Sequence, residues 1–249
     1  MLRPVAGALR IAYGILALAI FCLLFAIAAL LVLVVPRLEW RRSLVRSLAR
    51  TALFVLRVRV AVAGLEQLPP GPCIVVANHS SYLDGLVLNA TMPPRFSFVI
   101  KREAAQTPLL GVLLRRIGAE FVDRHSSSGR QRDARRVIRR AEQGHSLVFF
   151  PEGTFDEVVG LKRFHVGAFA AAIRGQVPVV PAVIHGARRA LPSHSVIVNA
   201  GRVGVEILQP LQSSGPAVTA ESLRDEARRR ILARLDEPDL AAAASVASR

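Results

Sequence analysis

Residues 73–85 of this 249-residue chain read CIVVANHSSYLDG, an unbroken apolar run followed by a polar turn and the start of a helical pattern. A short apolar run bounded by turn residues is typical of a strand that is buried on both faces of a parallel sheet. We predict a strand over residues 73–77 and a helix over residues 85–91. The turn between them places His79 at the carboxyl end of a strand, where α/β sheets present ligand-binding and catalytic groups.

Apolar strand patterns and helical patterns alternate along most of the chain on both sides of that turn. The predicted strands cover residues 58–62, 73–77, 96–100, 119–122, 147–150, 179–184 and 203–208, and the predicted helices cover residues 85–91, 107–117, 129–143, 166–174 and 220–235. This alternation predicts an α/β fold with a central, mostly parallel sheet flanked by helices. We place this domain at residues 60–237 and expect the Ala/Ser-rich residues 238–249 to be disordered, because they have nothing to pack against.

The N-terminal part is far more apolar, with 25 consecutive uncharged residues from 11 to 35. A helix of this length rises about 37 Å, enough to cross a hydrocarbon core of about 30 Å. A secretory signal has an apolar region of only about 7–15 residues before its cleavage site, which favours an uncleaved membrane anchor here. Residues 1–59 are therefore predicted to be an anchor and a basic amphipathic segment. Entry into one leaflet only, as half of a helical pair, stays open.

Arginines are distributed unevenly around the apolar run, with two before it and five among residues 36–50. The positive-inside rule then predicts a location in the inner membrane with the domain on the cytoplasmic side. Arg42, Arg46 and Arg50 share one face of a predicted helix. That helix is interpreted either as lying on an anionic leaflet or as a linker packed on the domain.

The formal net charge is +15, and only two of the 33 basic residues are lysine. This balance predicts a negatively charged partner, which could be nucleic acid, an anionic lipid headgroup or a phosphorylated substrate. Aromatic residues make up only 6% of the chain, which together with the apolar anchor argues against nucleic acid. The histidines lack metal-ligand spacing, so no metal is predicted, and two cysteines cannot build a disulfide framework.

Asp84 follows His79 by five positions, a spacing that leaves two side chains about 140° apart on a continuous helix. The two can meet only if His79 lies in the turn and Asp84 in the first turn of the following helix, with Ser80 or Ser81 as its cap. A carboxylate bound to one ring nitrogen fixes the tautomer and leaves the other nitrogen available as a general base. The alternative interpretation is a capped turn with an incidental histidine.

Polar side chains also follow three other predicted strands. Glu152 and Thr154 belong to the sequence FFPEGTF at residues 149–155, where a carboxylate could bind a hydroxyl and a threonine could contact phosphate; a simple turn is the alternative. Lys101 and Arg124 each end an apolar run. Cations in such positions suit an anionic substrate group, and arginine offers a planar fork that matches phosphate, although singly either is more often a surface charge.

Four sequence blocks in a fixed order make the combination specific. The chain resembles the glycerolipid acyltransferase family in having His79-x4-Asp84, then Lys101 and Arg124, then FPEGT at residues 150–154 and VPVVP at residues 177–181. The type members of this family are the 1-acylglycerol-3-phosphate O-acyltransferases, which make phosphatidic acid. The resemblance extends over about residues 60–211 and implies the glycerolipid acyltransferase fold.

The resemblance implies that His79 deprotonates the acceptor hydroxyl and that Asp84 orients the imidazole. The hydroxyl would attack an acyl thioester directly, so Ser80 and Ser81 are not expected to be nucleophiles. The implied donor is acyl-CoA or acyl carrier protein, used as a co-substrate, and no cofactor is expected. The implied acceptor is a lysophospholipid, with 1-acylglycerol-3-phosphate as the first choice.

The remaining blocks are implied to bind the substrates. The residues expected to bind the glycerol phosphate are Arg124, Glu152, Gly153 and Thr154, with help from Lys101, and the residue expected to shape the acyl-donor pocket is Pro181.

The chain departs from the family pattern after Glu-Gly-Thr, where many members have arginine and this chain has Phe155 and Asp156. The substitution removes a potential phosphate contact. Lys162 and Arg163, a few residues later, are candidates to replace it. Another acceptor, such as a lyso-aminolipid or a different lysophospholipid, therefore stays open.

A serine hydrolase and a basic protein that binds nucleic acid are the alternative classes of protein. A serine hydrolase would need a Gly-x-Ser-x-Gly elbow, and the sequence contains none. The arginine-rich residues 130–140 are interpreted as a solvated helix face or as a docking site for anionic lipid or acyl carrier protein. The predicted partners are thus anionic membrane lipid, a lysophospholipid and acyl-CoA or acyl carrier protein, without nucleic acid.

Overall fold

The computed structural model describes residues 2–123 and 127–242, with the side chains of residues 12–123 and 132–242. The strands within these ranges are Val58–Ala63 (β1), Ile74–Ala77 (β2), Phe96–Lys101 (β3), Glu120–Val122 (β4), Ser146–Phe149 (β5), Val179–His185 (β6) and Gly201–Ile207 (β7). They form one sheet in the order β1-β7-β6-β2-β5-β3-β4. Neighbouring strands are parallel throughout, except β6 and β7, which are antiparallel.

Strand β2, which precedes His79, lies in the middle of this sheet. β2 pairs with β5 on one side and with β6 on the other, and all four of its residues are buried. Each predicted strand coincides with an observed strand to within two residues at either end. The predicted α/β fold with a mostly parallel sheet is therefore confirmed.

The described helices are Leu2–Val34 (α1), Leu38–Val55 (α2), Leu83–Thr91 (α3), Leu110–Arg116 (α4), Ser127–Glu142 (α5), Gly167–Gly175 (α6), Ala187–Ala190 (α7) and Ala220–Leu232 (α8). The helix predicted from residue 107 begins only at Leu110, because Leu109 has a φ of 60°, outside the right-handed helical region. The single turn α7 was not predicted, since it is too short to show a helical period in the sequence.

Successive side chains of β2 point to opposite faces of the sheet, as in any strand. Val75 and Ala77 belong to a core that is completed by α2, α3 and α7. Ile74 and Val76 belong to a second core that is completed by α5, α6 and α8. Helices thus cover both faces of the sheet, which explains why the strand reads as an unbroken apolar run.

The first two helices form an antiparallel pair that packs on the domain. At one end three residues join them, and at the other end Tyr13 Oη donates a hydrogen bond to the Val55 carbonyl. Residues Ala12–Val34 are long and apolar enough to cross a membrane, by length and composition. One side of α1 is buried against the rest of the chain, and many of its large apolar side chains are exposed, among them Ile15, Leu16, Leu23, Leu30 and Leu33. The helix is consistent with a membrane anchor.

Three arginines of α2 bind the domain directly. Arg46 and Arg50 donate to carbonyls in the last turn of α3, at 3.0 and 2.9 Å, and Arg42 donates to the carbonyl of Ile117, at 2.8 Å. Carbonyls at the end of a helix lack partners within the helix, so arginine side chains satisfy them. For these three side chains the structure therefore favours a linker helix packed on the domain over a face that lies on an anionic leaflet.

The C-terminal segment differs from expectation. The prediction that nothing beyond Pro238 packs on the domain is wrong for residues 238–242. Leu161 N donates to the Pro238 carbonyl at 2.9 Å, and Leu240 N donates to the Leu161 carbonyl at 3.1 Å. Composition could not indicate this, because main-chain hydrogen bonds and an ion pair hold the segment where apolar side chains are few. Residues 243–249 lie outside the described residues.

Candidate active site

The turn after β2 is built by side chains that bind main-chain groups. Asn78 Nδ2 donates to the Ile184 carbonyl at 3.0 Å, and the Ile184 amide donates to Asn78 Oδ1 at 2.7 Å. This buried side chain continues the pairing of β2 with β6 for one residue beyond the strand. His79, the next residue, is thereby fixed at the carboxyl edge of the sheet, as the sequence predicts.

His79 and Asp84 meet as the five-residue spacing requires. His79 Nδ1 lies 3.0 Å from Asp84 Oδ2, which also accepts hydrogen bonds from the amides of Ser80 at 2.7 Å and Ser81 at 2.8 Å. Asp84 is fully buried in the first turn of α3, where a carboxylate is favoured by the helix dipole. With Nδ1 donating to this carboxylate, Nε2 carries the lone pair that could accept a proton.

Aromatic rings surround the imidazole of His79. Phe150 stacks on it with the ring centroids 4.1 Å apart, and Phe155 meets it edge-on at 4.6 Å. Tyr82 in turn meets Phe155 edge-on at 4.7 Å. Sequence reasoning missed Phe150 and Tyr82 as site residues. Phe150 directly follows β5, so only knowledge that β5 lies beside β2 could have identified it.

Glu152 binds the main chain of His79. Its Oε1 accepts a hydrogen bond from the His79 amide at 2.6 Å, and its Oε2 accepts one from the Lys162 amide at 2.9 Å. Burial raises the pKa of Glu152 to about 7, an effect that the two amide donors oppose. Both carboxylate oxygens are thus bonded to the main chain, and Glu152 holds the turn that carries His79. Its implied contact with glycerol phosphate stays a prediction.

Three other predicted residues lie around the same site. Lys101, Gly153 and Thr154 line the cavity that His79 also lines. Gly153 has a φ of 85°, in the left-handed region that favours glycine. At this turn the chain passes from the buried Glu152 to the exposed Thr154.

The last two predicted residues are Arg124 and Pro181. Arg124 lies outside the described residues. Pro181 is buried in β6, where it pairs with Val76, and it is not among the residues of the described ranges that line the cavity. Its implied role in shaping the acyl-donor pocket stays a prediction.

The cavity beside His79 has a volume of about 700 Å³, within the range of small-molecule sites. Its apolar wall comes mainly from α1, α2, α3, β3 and α4, and includes Phe21, Phe25, Ala28, Leu48, Leu86, Phe98, Leu110 and Leu113. His79, Phe150 and Phe155 also line it. An apolar chain placed in this cavity would thus lie beside the imidazole.

The loop after Thr154 carries its own charge pair. Lys162 Nζ pairs with the Asp156 carboxylate and thereby lowers the pKa of Asp156. Arg188 Nη1 donates to the Asp156 carbonyl at 2.9 Å. Lys162 is therefore engaged within the loop, which weakens the hypothesis that it replaces the arginine absent at Phe155.

Chemically, the arrangement offers a base, a pocket and a cation. His79 can accept a proton at Nε2, since Asp84 holds Nδ1. The cavity can bury an apolar chain, and Lys101 at its wall can attract an anionic group. These are the requirements for transfer chemistry between an amphiphilic acceptor and an apolar donor.

Comparisons with known proteins agree with this chemistry. The family model described as Acyltransferase matches residues 59–185. The 1-acyl-sn-glycerol-3-phosphate acyltransferase BAT2, chloroplastic, of Brassica napus is 34% identical over 173 residues, which cover 68% of this chain and 49% of that protein. The Lysophospholipid acyltransferase LPCAT4 of Homo sapiens is 35% identical over 159 residues, which cover 60% of this chain and 29% of that protein. The chain thus matches about half or less of the length of these relatives.

A solved structure shares the fold. The crystal structure of the 1-acyl-sn-glycerophosphate (LPA) acyltransferase, PlsC, from Thermotoga maritima matches with a TM-score of 0.76 and covers 94% of this chain and 96% of that chain. The sequence identity is 22%, so this likeness concerns the fold. The match extends beyond residues 59–185 and therefore includes most of the N-terminal helices.

Proposed function

The chain belongs to the acyltransferase family, and from this premise we propose that it transfers a fatty acyl group from an acyl thioester to the free hydroxyl of a lysophospholipid. The first-choice acceptor is 1-acylglycerol-3-phosphate, which would give phosphatidic acid. The observation that carries the proposal is the His79–Asp84 pair, whose imidazole lines an apolar cavity of about 700 Å³. A base next to a pocket for an apolar chain is what esterification of a lysolipid needs.

In the proposed reaction His79 Nε2 takes the proton of the acceptor hydroxyl as the oxygen attacks the thioester carbonyl. A carbon–oxygen bond forms and the carbon–sulfur bond breaks. The proton then passes from His79 to the departing thiolate, which leaves as a free thiol. Asp84 stabilises the positively charged imidazole between these steps, and general-base catalysis of this kind contributes about 10²- to 10⁴-fold.

The cavity is proposed to hold the acyl chain of the donor. Each buried methylene contributes about 0.8 kcal/mol, so the cavity wall favours long chains without needing polar contacts. Acyl-CoA and acyl carrier protein carry the same thioester, and either is compatible with a cavity that binds the acyl part. Lys101, together with Arg124, is proposed to attract the anionic headgroup of the acceptor or donor.

A second acceptor class is favoured by one observation. Phe155 covers His79 at the position where many family members have arginine, and the nearby Lys162 is paired with Asp156. An aromatic pair, Phe155 with Tyr82, suits a cationic headgroup better than a phosphate monoester. A lyso-aminolipid or a choline-bearing lysophospholipid is therefore the alternative acceptor, and some relatives are named lysophosphatidylcholine acyltransferases.

We also propose a location at the inner membrane with the domain on the cytoplasmic side. The exposed apolar side of α1 supports contact with lipid acyl chains, and Trp40 in the first turn of α2 is exposed, as is typical of interfacial aromatic residues. The excess of arginine after the apolar run supports the orientation.

The proposal is tested with the full-length chain in detergent, by measuring thiol release from acyl-CoA in the presence of a panel of lysolipids. Lipid mass spectrometry identifies the product. His79→Ala is expected to lower kcat by at least about 10²-fold, since it removes the general base. His145→Ala is the matched control, because His145 directly precedes β5, at the opposite edge of the sheet from His79, and lies 3.2 Å from Arg140. Full activity of His79→Ala would exclude the proposed base, and no product with any lysolipid would exclude acyl transfer.

A further inference from the structure

A short C-terminal segment, residues 237–240, lies against the chain that follows the Glu-Gly-Thr motif. Two main-chain hydrogen bonds join Leu161 to Pro238 and Leu240, at 2.9 and 3.1 Å. The Gly160 amide donates to the Glu237 carboxylate at 3.1 Å. The approach is close, since a side chain at Gly160 would lie only 2.6 Å from Leu240 Cγ. We name residues 237–240 the C-terminal strap.

Arg228 on α8 fastens the strap to the same stretch of chain. Its guanidinium binds both carboxylate oxygens of Asp239, at 2.6 and 3.0 Å. It also donates to the carbonyls of Leu161 and Lys162, each at 2.9 Å. The side chain of Arg228 is only 14% exposed, so this bidentate pair is shielded from solvent more than an ordinary surface ion pair.

The stretch that the strap holds is in direct contact with the support of the base. Lys162, one residue beyond Leu161, donates its amide to Glu152, and Glu152 accepts the amide of His79. A single carboxylate therefore connects the segment under the strap with the turn that carries the imidazole. A shift of Lys162 would leave one oxygen of this buried carboxylate without its donor, and such a loss is costly.

We infer that the C-terminal strap is a positioning element of the active site, which keeps Lys162 in place so that Glu152 holds the His79 turn in its catalytic geometry. The inference rests on the proposed function of His79 as the base. It assigns a catalytic consequence to Asp239 and Arg228, two residues that touch neither the cavity nor the imidazole. A purely structural strap would change stability and leave the turnover of the folded enzyme unaltered.

Truncation tests this directly, because the chain offers a matched control. Removal of residues 237–249 deletes the strap, whereas removal of residues 243–249 keeps every contact described above. The first variant is expected to lose about tenfold or more in kcat, with the KM for both substrates within about twofold of wild type, since small misplacements of catalytic groups are costly. The second variant is expected to equal the wild type. Equal kcat for the two truncated chains, both folded, would overturn the inference.

Point variants decide the matter if the shorter chain does not fold. Asp239→Ala removes the carboxylate that Arg228 binds. Glu226→Ala is its control, since Glu226 on the same helix also pairs with arginines, Arg229 and Arg230, away from the strap. Asp239→Ala is expected to lower kcat several-fold, and Glu226→Ala to leave it unchanged. Wild-type kcat in Asp239→Ala would overturn the inference.

Two readouts separate positioning from general loss of structure. The charged groups that act on Glu152 are Lys162 and Asp84, and the amides of Lys162 and His79 lower its pKa. Loss of the Lys162 bond therefore raises that pKa. Because the ionised carboxylate accepts the amides of His79 and Lys162 and protonation weakens these bonds, the acid limb of the kcat profile is expected to move to higher pH in Asp239→Ala. Amide hydrogen exchange at residues 78–82 is expected to increase in the same variant. This second readout needs no turnover, so it tests the strap even if the chain acts on no lysolipid.

Discussion

Two different regions adjoin His79: the apolar wall of the cavity, formed by side chains from four helices and β3, and the loop of residues 152–162, which carries Glu152 and its hydrogen bond to His79. The cavity wall acts through volume and apolar area, which are not directional. The loop acts through hydrogen bonds of Glu152 and through its own charge pair, which depend on single atoms and angles. Changes in the cavity wall should therefore alter substrate preference gradually, whereas changes to the hydrogen bonds of Glu152 should alter turnover sharply.

The largest effect is expected from a change at Asp84, the partner of His79. Asp84→Asn replaces the acceptor of three hydrogen bonds with a group that also donates, so the His79 ring loses its fixed tautomer. We expect kcat to fall by about 10³-fold or more, as happens when the carboxylate of a catalytic triad is replaced by an amide. Thiol release and the thermal unfolding midpoint should be measured together. A folded variant with more than a tenth of wild-type activity would contradict the pairing described here.

Glu152→Gln sharpens the comparison on the loop side. The amide keeps one acceptor oxygen but turns a donor toward either the His79 or the Lys162 amide. We expect kcat to fall by about 10- to 100-fold at pH 8 with the KM values little changed. A change confined to KM would instead indicate direct substrate binding by Glu152, as the family resemblance implies.

The same variant has a pH signature in stability. Burial raises the pKa of Glu152 from an ordinary 4.5 to about 7, so the folded chain binds this proton more tightly than the unfolded chain. The stabilisation due to the proton is full below about 4.5 and is lost as the pH rises through about 7. Urea unfolding of wild type and Glu152→Gln at several pH values should therefore show a difference that grows in favour of the variant from pH 4.5 to 8. A constant difference would contradict the raised pKa.

On the cavity side, Ala28→Leu fills part of the wall contributed by α1. Ala28 is buried and lines the cavity, whereas Ala26 on the same helix is exposed and serves as the control position. We expect the preference for long over short acyl thioesters to fall about tenfold, since overpacking costs about 1–3 kcal/mol. Competition between two chain lengths in one reaction measures this ratio. An equal effect of Ala26→Leu would point to the membrane, and not the cavity, as the source of the preference.

The smallest effect is expected from a change at Phe155, which meets the His79 ring edge-on. Phe155→Arg introduces the planar cation that many family members carry, and it removes the edge contact with His79. We expect kcat/KM for 1-acylglycerol-3-phosphate to rise about threefold relative to a choline-bearing lysolipid, because an exposed arginine–phosphate pair contributes about 1 kcal/mol or less. Phe155→Leu, which removes the ring without adding charge, should leave the ratio unchanged. If both variants behave alike, charge does not select the acceptor at this position.

The fold and the central pair of the site could be predicted from the sequence because both depend on local signals. Apolar runs such as residues 73–77 identify buried strands, and the spacing of His79 and Asp84 has one geometric solution at a strand-to-helix turn. The partners of Glu152 and the stacking of Phe150 could not be predicted in this way. They depend on β5 lying beside β2, and strand order is a long-range property that no single segment encodes.

The arginines of α2 show a second reason for failure. A basic helical face is compatible with a lipid surface or with exposed carbonyls, and the charges of Arg42, Arg46 and Arg50 are the same in both cases. The end of α3 decides the matter, because its last carbonyls lie within reach. The prediction for the C-terminal segment was wrong for a similar reason. Arg228 binds Asp239 with two hydrogen bonds, but an aspartate in an Ala/Ser-rich sequence gives no apolar signal of packing.

The helical pair α1–α2 has a practical consequence for anyone who wishes to prepare or redesign this protein. These helices supply part of the cavity wall, and α2 is hydrogen-bonded to the end of α3. They therefore cannot be exchanged for another membrane anchor. Cutting them off to obtain a water-soluble form would also open the cavity, and grafting another protein's membrane helix in their place would not rebuild it. Solubilisation with the N-terminus intact is the route that preserves the pocket.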